Sequence, residues 1–214
     1  MIDHKLFERI YFNPSHPAAF GGVKKLYQYA KIENKGITLN DVKKWLSSRN
    51  EYTLFKESRK NFKRNRIYVS YVNEQWEIDL LDYAKLSRFN QGYKYLITII
   101  DVFSKYLYVI PIKRKSMKEV TDRFTILFQK VKPTKIRSDR GKEFDNLEFR
   151  QLCRKYNIIY FVTENQTKKC AVIERVNKTL RIKIERYLAT NNTKKYIDIV
   201  KHIVDIVNNF NILY

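Results

Sequence analysis

The chain has 214 residues; 44% of them are hydrophobic and 14% aromatic, which supplies a sizeable core and excludes wholesale disorder. Its 5 Gly, 4 Pro and 2 Cys exclude collagen-like, linker-like and disulfide-framework architectures. No apolar run approaches the ~18 residues of a membrane span, and the N-terminus lacks a secretory signal pattern. We therefore expect a soluble, intracellular protein with one main domain and a smaller module.

Charge is the strongest compositional signal. The chain carries 43 Lys and Arg against 22 Asp and Glu, for a formal net charge of +21. Nucleic acid is the first candidate partner, because many cationic contacts release counterions condensed on the phosphate backbone. An anionic membrane surface is less favoured, since no helix opposes a basic face with Trp, Phe and Leu. A basic surface that only aids solubility is the remaining alternative.

The first 55 residues have helical patterns around a glycine-containing turn. Ala18 to Lys31 places apolar residues at helical spacing, and Gly36 ends the stretch that follows. Thr38 and Asp41 have the spacing of a capping box at the start of a second helix. The pattern predicts a small module over residues 1–55, and a helix-turn-helix-like DNA-binding unit and a plain helical hairpin fit it equally well.

Residues 56–70 are predicted to form a basic linker. The segment 56–66 holds six basic residues and one acidic residue. Contact with a DNA backbone is favoured over a solvated connector, because Phe62 lies among the cations. The candidate DNA-binding residues of this cluster are Arg59, Lys60, Lys63, Arg64 and Arg66.

From residue 75 the pattern changes to strands and then alternates with helices. Strands are predicted near 76–81, 93–102, 106–112, 134–138 and 158–162. Helices are predicted from Ser116 to about Val131 and from Asp145 to about Tyr156, and two long helices close the chain. This order predicts an α/β fold, in which residues 71–214 form a mixed five-stranded sheet with helices on both faces.

Three carboxylates occupy informative places in this arrangement: Asp79 in the first strand, Asp139 just after the fourth, and Glu174 near a helix start. If they converge at one end of the sheet, their repulsion is relieved by a divalent metal, and oxygen-only ligands select Mg²⁺ or Mn²⁺ over zinc. Two such ions ~3.5–4 Å apart serve phosphodiester chemistry. Because the chain has 22 acidic residues, spacing alone does not decide this.

Four local strings carry a resemblance to a known family: Trp76–Asp79, Ile100–Tyr106, Ser138–Phe144 and Val172–Lys178. They resemble the catalytic core of retroviral-type DDE integrases, and the resemblance covers about residues 75–210. Residues 14–70 are more similar to integrases of Maverick/Polinton DNA transposons and related viruses.

The resemblance implies an RNase H-like fold and a metal-dependent enzyme that processes DNA 3′ ends and joins them to target DNA. It implies Asp79, Asp139 and Glu174 as catalytic metal ligands, with Mg²⁺ or Mn²⁺, as two ions, as the cofactor. The implied partner is double-stranded DNA, both the element's ends and the target. A homo-oligomer is implied for the active form, working in the nucleus or wherever element DNA is found.

Several residues depart from the retroviral pattern. Asp139 and Glu174 are separated by 34 residues, one fewer than in that pattern, and Arg140 and Glu143 stand where Asn is usual. Glu143 is also a rival metal ligand, although its loop position favours Glu174. Three His and two distant Cys cannot supply the family's N-terminal zinc module, and no C-terminal module follows before Tyr214. These departures keep open the alternative of a catalytically inactive DNA-binding protein derived from such an element.

The predicted helix around Glu174 links the site to DNA. At 100° per residue, Lys178 and Arg181 lie within about 40° of Glu174, so a DNA end held at the metals would meet them next. Asn177 resembles the family's polar neighbour of the catalytic Glu and is a further DNA-binding candidate. A solvated basic face would explain the two cations equally simply.

Overall fold

The computed structural model describes residues 3–55, 67–162 and 170–211. Their helices and strands follow the predicted order, with a short 3₁₀ helix at Ala84–Phe89. The elements are α1 (His4–Tyr11), α2 (Val23–Glu33), α3 (Leu39–Ser47), α4 (Asn50–Thr53), β1 (Gln75–Asp82), β2 (Tyr95–Asp101), β3 (Leu107–Ile112), α5 (Met117–Lys130), β4 (Lys135–Ser138), α6 (Leu147–Lys155), β5 (Ile159–Val162), α7 (Ala171–Thr190) and α8 (Ile197–Asn211).

The five strands form one mixed sheet in the order β3-β2-β1-β4-β5. β1, β2 and β3 pair antiparallel, whereas β4 pairs parallel with both β1 and β5. Strands joined by tight turns can pair antiparallel, but the α5 and α6 crossovers return the chain in the same direction. The predicted RNase H-like fold, a mixed five-stranded α/β sheet with an N-terminal helical segment, is confirmed.

The two faces of the sheet are distinguished by alternation along β1. Trp76 and Ile78 are fully buried in a core shared with α5 and α6, whose members include Phe124 and Phe149. Successive side chains of a strand point to opposite faces. The opposite face of β1 therefore carries Glu77 and Asp79, beside the cluster in which Ile100 of β2 meets Ile173 of α7.

The N-terminal helices pack around an aromatic core. Phe7 and Tyr11 of α1 lie against Trp45 of α3, with ring centroids 5.5 and 5.4 Å apart. The predicted capping box at the start of α3 is present: Thr38 accepts a hydrogen bond from the Asp41 N–H, and Asp41 accepts one from the Thr38 N–H. Local hydrogen bonding therefore fixes the start of α3, as the sequence indicates.

Two helix starts differ from the sequence prediction. The helix expected from Ala18 begins at Val23, because 18–22 form a turn in which Phe20 adopts a left-handed φ of 49°. The helix expected to be capped by Asp145 is capped by Asn146 instead, whose side chain accepts the Phe149 N–H at 2.9 Å. Asp145 binds the Arg150 guanidinium, so its carboxylate is engaged elsewhere.

The chain divides into two compact units, and the predicted domain bounds stay a prediction. The first unit combines residues 1–62 with 179–210, and the second combines 63–178 with 211–214. Residues 179–210 group with the N-terminal helices because Lys183 and Arg186 bond backbone carbonyls there and Ile206 enters their core. The predicted linker cluster at 56–66 lies outside the described residues. Within the described part of the chain, no helix has the length and apolarity needed to cross a bilayer.

Candidate active site

Two of the three predicted carboxylates are delivered by the parallel pair β1 and β4. Glu77 and Arg137 are register partners in these strands, and Asp79 and Asp139 each follow two residues later. Parallel strands run in one direction, so both acids come to the same edge of the sheet. Asp139 lies just past the end of β4, where its carboxylate accepts the Gly141 N–H at 3.2 Å and stays exposed.

Asp79 is half-buried, and its surroundings disfavour the ionised form of its carboxylate. Burial, and to a smaller degree the charges of Asp139 and Glu143, raise the pKa of Asp79 to about 6. Hydrogen bonds from the Leu80 N–H at 2.7 Å and from Asn177 Nδ2 at 2.6 Å act in the opposite direction. Asp139 contributes to the raised pKa of Asp79, in keeping with the placement of both acids at one edge of the sheet.

Glu174 lies in the first turn of α7 and is half-buried. Its N–H donates to the Cys170 carbonyl at 3.0 Å, which forms part of the first helical turn. Its charge is one of those that raise the pKa of Glu77, after the larger effect of burial. The start of α7, which carries Glu174, lies against β1, because the Val172 and Ile173 N–H groups donate to Glu77.

These residues fit a divalent cation in chemical type. Asp79 and Asp139 offer only oxygen donors, which Mg²⁺ and Mn²⁺ prefer, and a cation beside them would offset the repulsion that raises the pKa of Asp79. Among the residues the structure describes, no three His, Cys, Asp or Glu side chains are grouped closely enough to hold a metal. The participation of Glu174 in such a site stays a prediction.

Glu143 also belongs to this electrostatic environment. Its carboxylate folds over Gly141, where an added Cβ would lie 2.8 Å from it, and its charge contributes to the raised pKa of Asp79. Two other acids are engaged in turns: Asp82 accepts the Ala84 N–H, and Asp101 accepts the Ser104 N–H. An experiment must therefore distinguish Glu143 from Glu174 as the third metal ligand.

The predicted DNA-binding residues divide into three groups. Lys178 and Arg181 are exposed on α7, as a DNA-facing role requires. Asn177 is buried, with 5% exposure, and donates to Asp79 instead of facing solvent, so its observed contact is with a candidate ligand. The five basic residues of the 56–66 cluster lie outside the described residues.

Sequence reasoning missed Glu77, a fully buried acid two residues before Asp79. Its carboxylate accepts the N–H groups of Val172 and Ile173 at the start of α7, both at 2.9 Å, and lies 3.7 Å from the Arg137 guanidinium. The available signal was the alternation of β1, which places Glu77 on the same face as Asp79.

Comparison with known proteins connects this sheet to a family. Residues 70–168 match the family described as the integrase core domain. The matched range contains Asp79 and Asp139 and ends before Glu174. The chain is 31% identical to an uncharacterized transposon-derived protein of Caenorhabditis elegans over 59% of its length and 44% of that protein's.

Two further relatives come from retroviral and retrotransposon polyproteins. The chain is 28% identical to the Gag-Pol polyprotein of avian reticuloendotheliosis virus over 55% of its length, and 32% identical to a retrovirus-related Pol polyprotein of Drosophila melanogaster transposon 412 over 50%. The aligned parts amount to 10% and 9% of those polyproteins. These matches support a retroviral-type integrase core.

The chain also has a structural neighbour. A chain from the cryo-electron microscopy structure of the simian T-cell lymphotropic virus intasome, in complex with PP2A regulatory subunit B56 gamma, superposes with a TM-score of 0.56. The match covers 86% of this chain and 67% of that one, at 18% identity. At this identity the likeness shows the fold alone. The predicted resemblance of residues 14–70 to Maverick/Polinton integrases stays a prediction.

Proposed function

We propose that this protein processes DNA 3′ ends and joins them to target DNA, as the integrase of a mobile element or virus. The observation that carries the proposal is the pair Asp79 and Asp139, brought to one sheet edge by parallel strands in a domain that matches the integrase core. A polynucleotidyl transferase needs such a concentration of negative oxygen donors, because a divalent metal must be held where the phosphodiester reacts.

In this proposal Asp79, Asp139 and Glu174 hold one or two Mg²⁺ or Mn²⁺ ions. When bound, these ions would lower the pKa of an attacking water or 3′-hydroxyl and stabilise the leaving oxygen. Asn177 orients the Asp79 carboxylate by donating to it at 2.6 Å. The exposed cations Lys178 and Arg181 would receive the DNA backbone next to the site. Double-stranded DNA is the proposed partner, with oligomerisation in the active form and action where element DNA is found.

The test uses short DNA duplexes with randomised terminal sequence, a supercoiled plasmid target, and either Mg²⁺ or Mn²⁺. Sequencing of plasmid junctions identifies which ends are joined. Asp79→Asn, Asp139→Asn and Glu174→Gln each preserve shape and remove one ligand charge, so each should abolish nearly all joining while DNA affinity, measured by fluorescence anisotropy, stays largely unchanged.

Glu143→Gln is the matched variant, because it removes a nearby charge without removing a proposed ligand. It should retain substantial joining activity. If Glu143→Gln is inactive and Glu174→Gln active, the third ligand is Glu143. If the wild-type protein binds DNA but joins no end with either metal, the chain is a DNA-binding protein derived from an integrase, which is the rival function.

A further inference from the structure

Glu77 is the most completely buried acid on the β1 face that carries Asp79, with 0% exposure. A lone buried carboxylate costs several kcal/mol, so such a group persists only when it is paired and hydrogen-bonded. Glu77 is both: it accepts two N–H groups of α7 and faces the Arg137 guanidinium of β4. Burial raises its pKa, and these contacts act against that effect.

The two N–H groups that Glu77 accepts are the unpaired donors at the start of α7. The first N–H groups of a helix have no partner within it, and a side-chain oxygen usually caps them from the preceding residue. Here that residue is the buried Cys170, whose side chain has no oxygen, and the cap comes from a residue 95 positions earlier in the chain. A negative charge at this helix end is also favoured by the helix dipole.

Glu77 and the residues that it contacts lie one or two residues before the three proposed metal ligands. Glu77 itself is two residues before Asp79, and Arg137 is two residues before Asp139. Val172 and Ile173 directly precede Glu174. The carboxylate of Glu77 on β1 thus contacts both of the other chain segments that carry the site, β4 and α7.

A second hydrogen bond joins β1 to α7 one helical turn further along. Glu77 binds the start of α7, and Asp79 accepts from Asn177 one turn later. Two residues of strand advance about 6.6 Å, and the four from Ile173 to Asn177 advance about 6 Å along a helix. The spacing of the two contacts along β1 is therefore close to their spacing along α7. Glu174 lies between these two contacts in the helix, so they restrict its position relative to β1.

We propose that Glu77 is a positioning residue, whose carboxylate caps α7 and pairs with Arg137 so that Glu174 and Asp139 are held in register with Asp79. The inference rests on the proposed function for its catalytic consequence. Its structural content, a tertiary cap that sets the position of Glu174, can be measured without any DNA joining.

The test compares Glu77→Gln with Glu74→Gln in the full chain. Glu77→Gln keeps the shape of the side chain but removes the charge that binds the helix start and Arg137. Glu74→Gln is the matched control, because Glu74, just before β1, pairs with Lys135 of β4 at 3.3 Å, and its side chain contacts Ser70 and Lys135 among the described residues. Thermal unfolding checks that each variant folds.

In Glu77→Gln, we expect hydrogen exchange of the amides at 172–173 to rise about tenfold, because a charge-assisted bond is replaced by a weaker one. Binding of Mn²⁺ alone, measured by electron paramagnetic resonance, should weaken by about tenfold or more. The maximal rate of DNA joining should fall by about 10- to 100-fold with an unchanged DNA concentration for half-maximal rate, since small misplacement of reacting groups is costly. Glu74→Gln should leave all three within about twofold.

Unchanged amide exchange at 172–173 in a folded Glu77→Gln protein would overturn the cap. Faster exchange with unchanged Mn²⁺ affinity and joining would overturn the positioning role and leave Glu77 a stability residue. If the wild-type protein joins no DNA, the proposed function fails, and the exchange and Mn²⁺ measurements still decide the inference about Glu77.

Discussion

At the scale of single residues, the first compact unit contains two buried cations. Lys183 Nζ donates to the Ala19 carbonyl at 2.5 Å, and Arg186 donates to the Phe20 carbonyl at 2.7 Å. These carbonyls lie in the turn before α2, where no helix or strand supplies donors, so the cations satisfy buried acceptors. Burial, with the neighbouring charges of Lys25 and Arg186, lowers the pKa of Lys183 to about 7.

This pKa predicts a pH dependence of stability. Between pH ~7 and ~10.5, the unfolded chain carries the Lys183 proton and the folded chain does not, so the free energy of unfolding should rise with pH in that window. Below pH 7 both states are protonated, and the cost of burying the charge is fully present. Lys183→Met should flatten this rise by on the order of 3 kcal/mol in urea unfolding measured from pH 6 to pH 10.

Lys201→Met is the control for that measurement, because Lys201 is exposed on α8 in the same unit. Its pH profile should parallel that of the wild-type protein. A Lys183→Met profile that also runs parallel would show that Lys183 is not the group responsible.

At the scale of elements, α7 combines three contacts of different kinds. Its start is capped by Glu77, its second turn bonds Asp79 through Asn177, and its later turns bury Lys183 and Arg186. Three successive regions of one helix are thus fixed by charged or polar contacts and not by apolar packing alone. The exposed cations Lys178 and Arg181 lie on this same helix.

The exposed pair Lys178 and Arg181 should therefore matter by position and not only by charge. Changing both to Glu should reduce joining of a DNA end at least about tenfold, because acids beside Glu174 would repel the phosphates nearest the reacting bond. The loss should appear in the junction-sequencing assay, with thermal unfolding used to confirm an intact fold.

The comparison for this pair needs exposed cations away from the site. Arg186, which lies about 120° around α7 from Glu174 at 100° per residue, is unsuitable because it is buried. Lys130 and Arg154 are exposed near the ends of α5 and α6. They lie at the edge of the sheet where β4 begins, whereas Asp139 follows the opposite end of β4. Changing Lys130 and Arg154 to Glu alters the net charge by the same amount as changing Lys178 and Arg181 to Glu, and should reduce joining less. Equal losses would mean that bulk charge decides.

At the scale of the whole molecule, the net charge of +21 remains the strongest indication of a polyanionic partner. DNA affinity should fall steeply with salt, because each phosphate contact releases counterions. Neutralising Arg59, Lys60, Lys63, Arg64 and Arg66 together should flatten the log–log salt dependence by up to ~4.5, about 0.9 for each lost contact. Titrations by fluorescence anisotropy at several salt concentrations measure this slope, and an unchanged slope would make the segment a plain spacer.

The sequence by itself determined the element types and order of the sheet and the capping of α3. It also placed Asp79 and Asp139 at strand positions that meet at one edge. These features follow from local periodicity, from side-chain caps, and from the rule that crossover connections return strands in parallel. The alternation along β1 also places Glu77 on the same face as Asp79, although it does not reveal the contacts of Glu77 with α7.

Only the tertiary structure decided which charged groups are buried and what they contact. Glu77 meets α7 across 95 residues of chain, and Lys183 meets Ala19 across 164. A charged side chain is ordinarily solvated, so local pattern assigns it to a surface, and only a specific distant partner makes its burial favourable. For the same reason Arg186, a cation that local pattern alone would assign to solvent, is an internal contact of the Phe20 carbonyl.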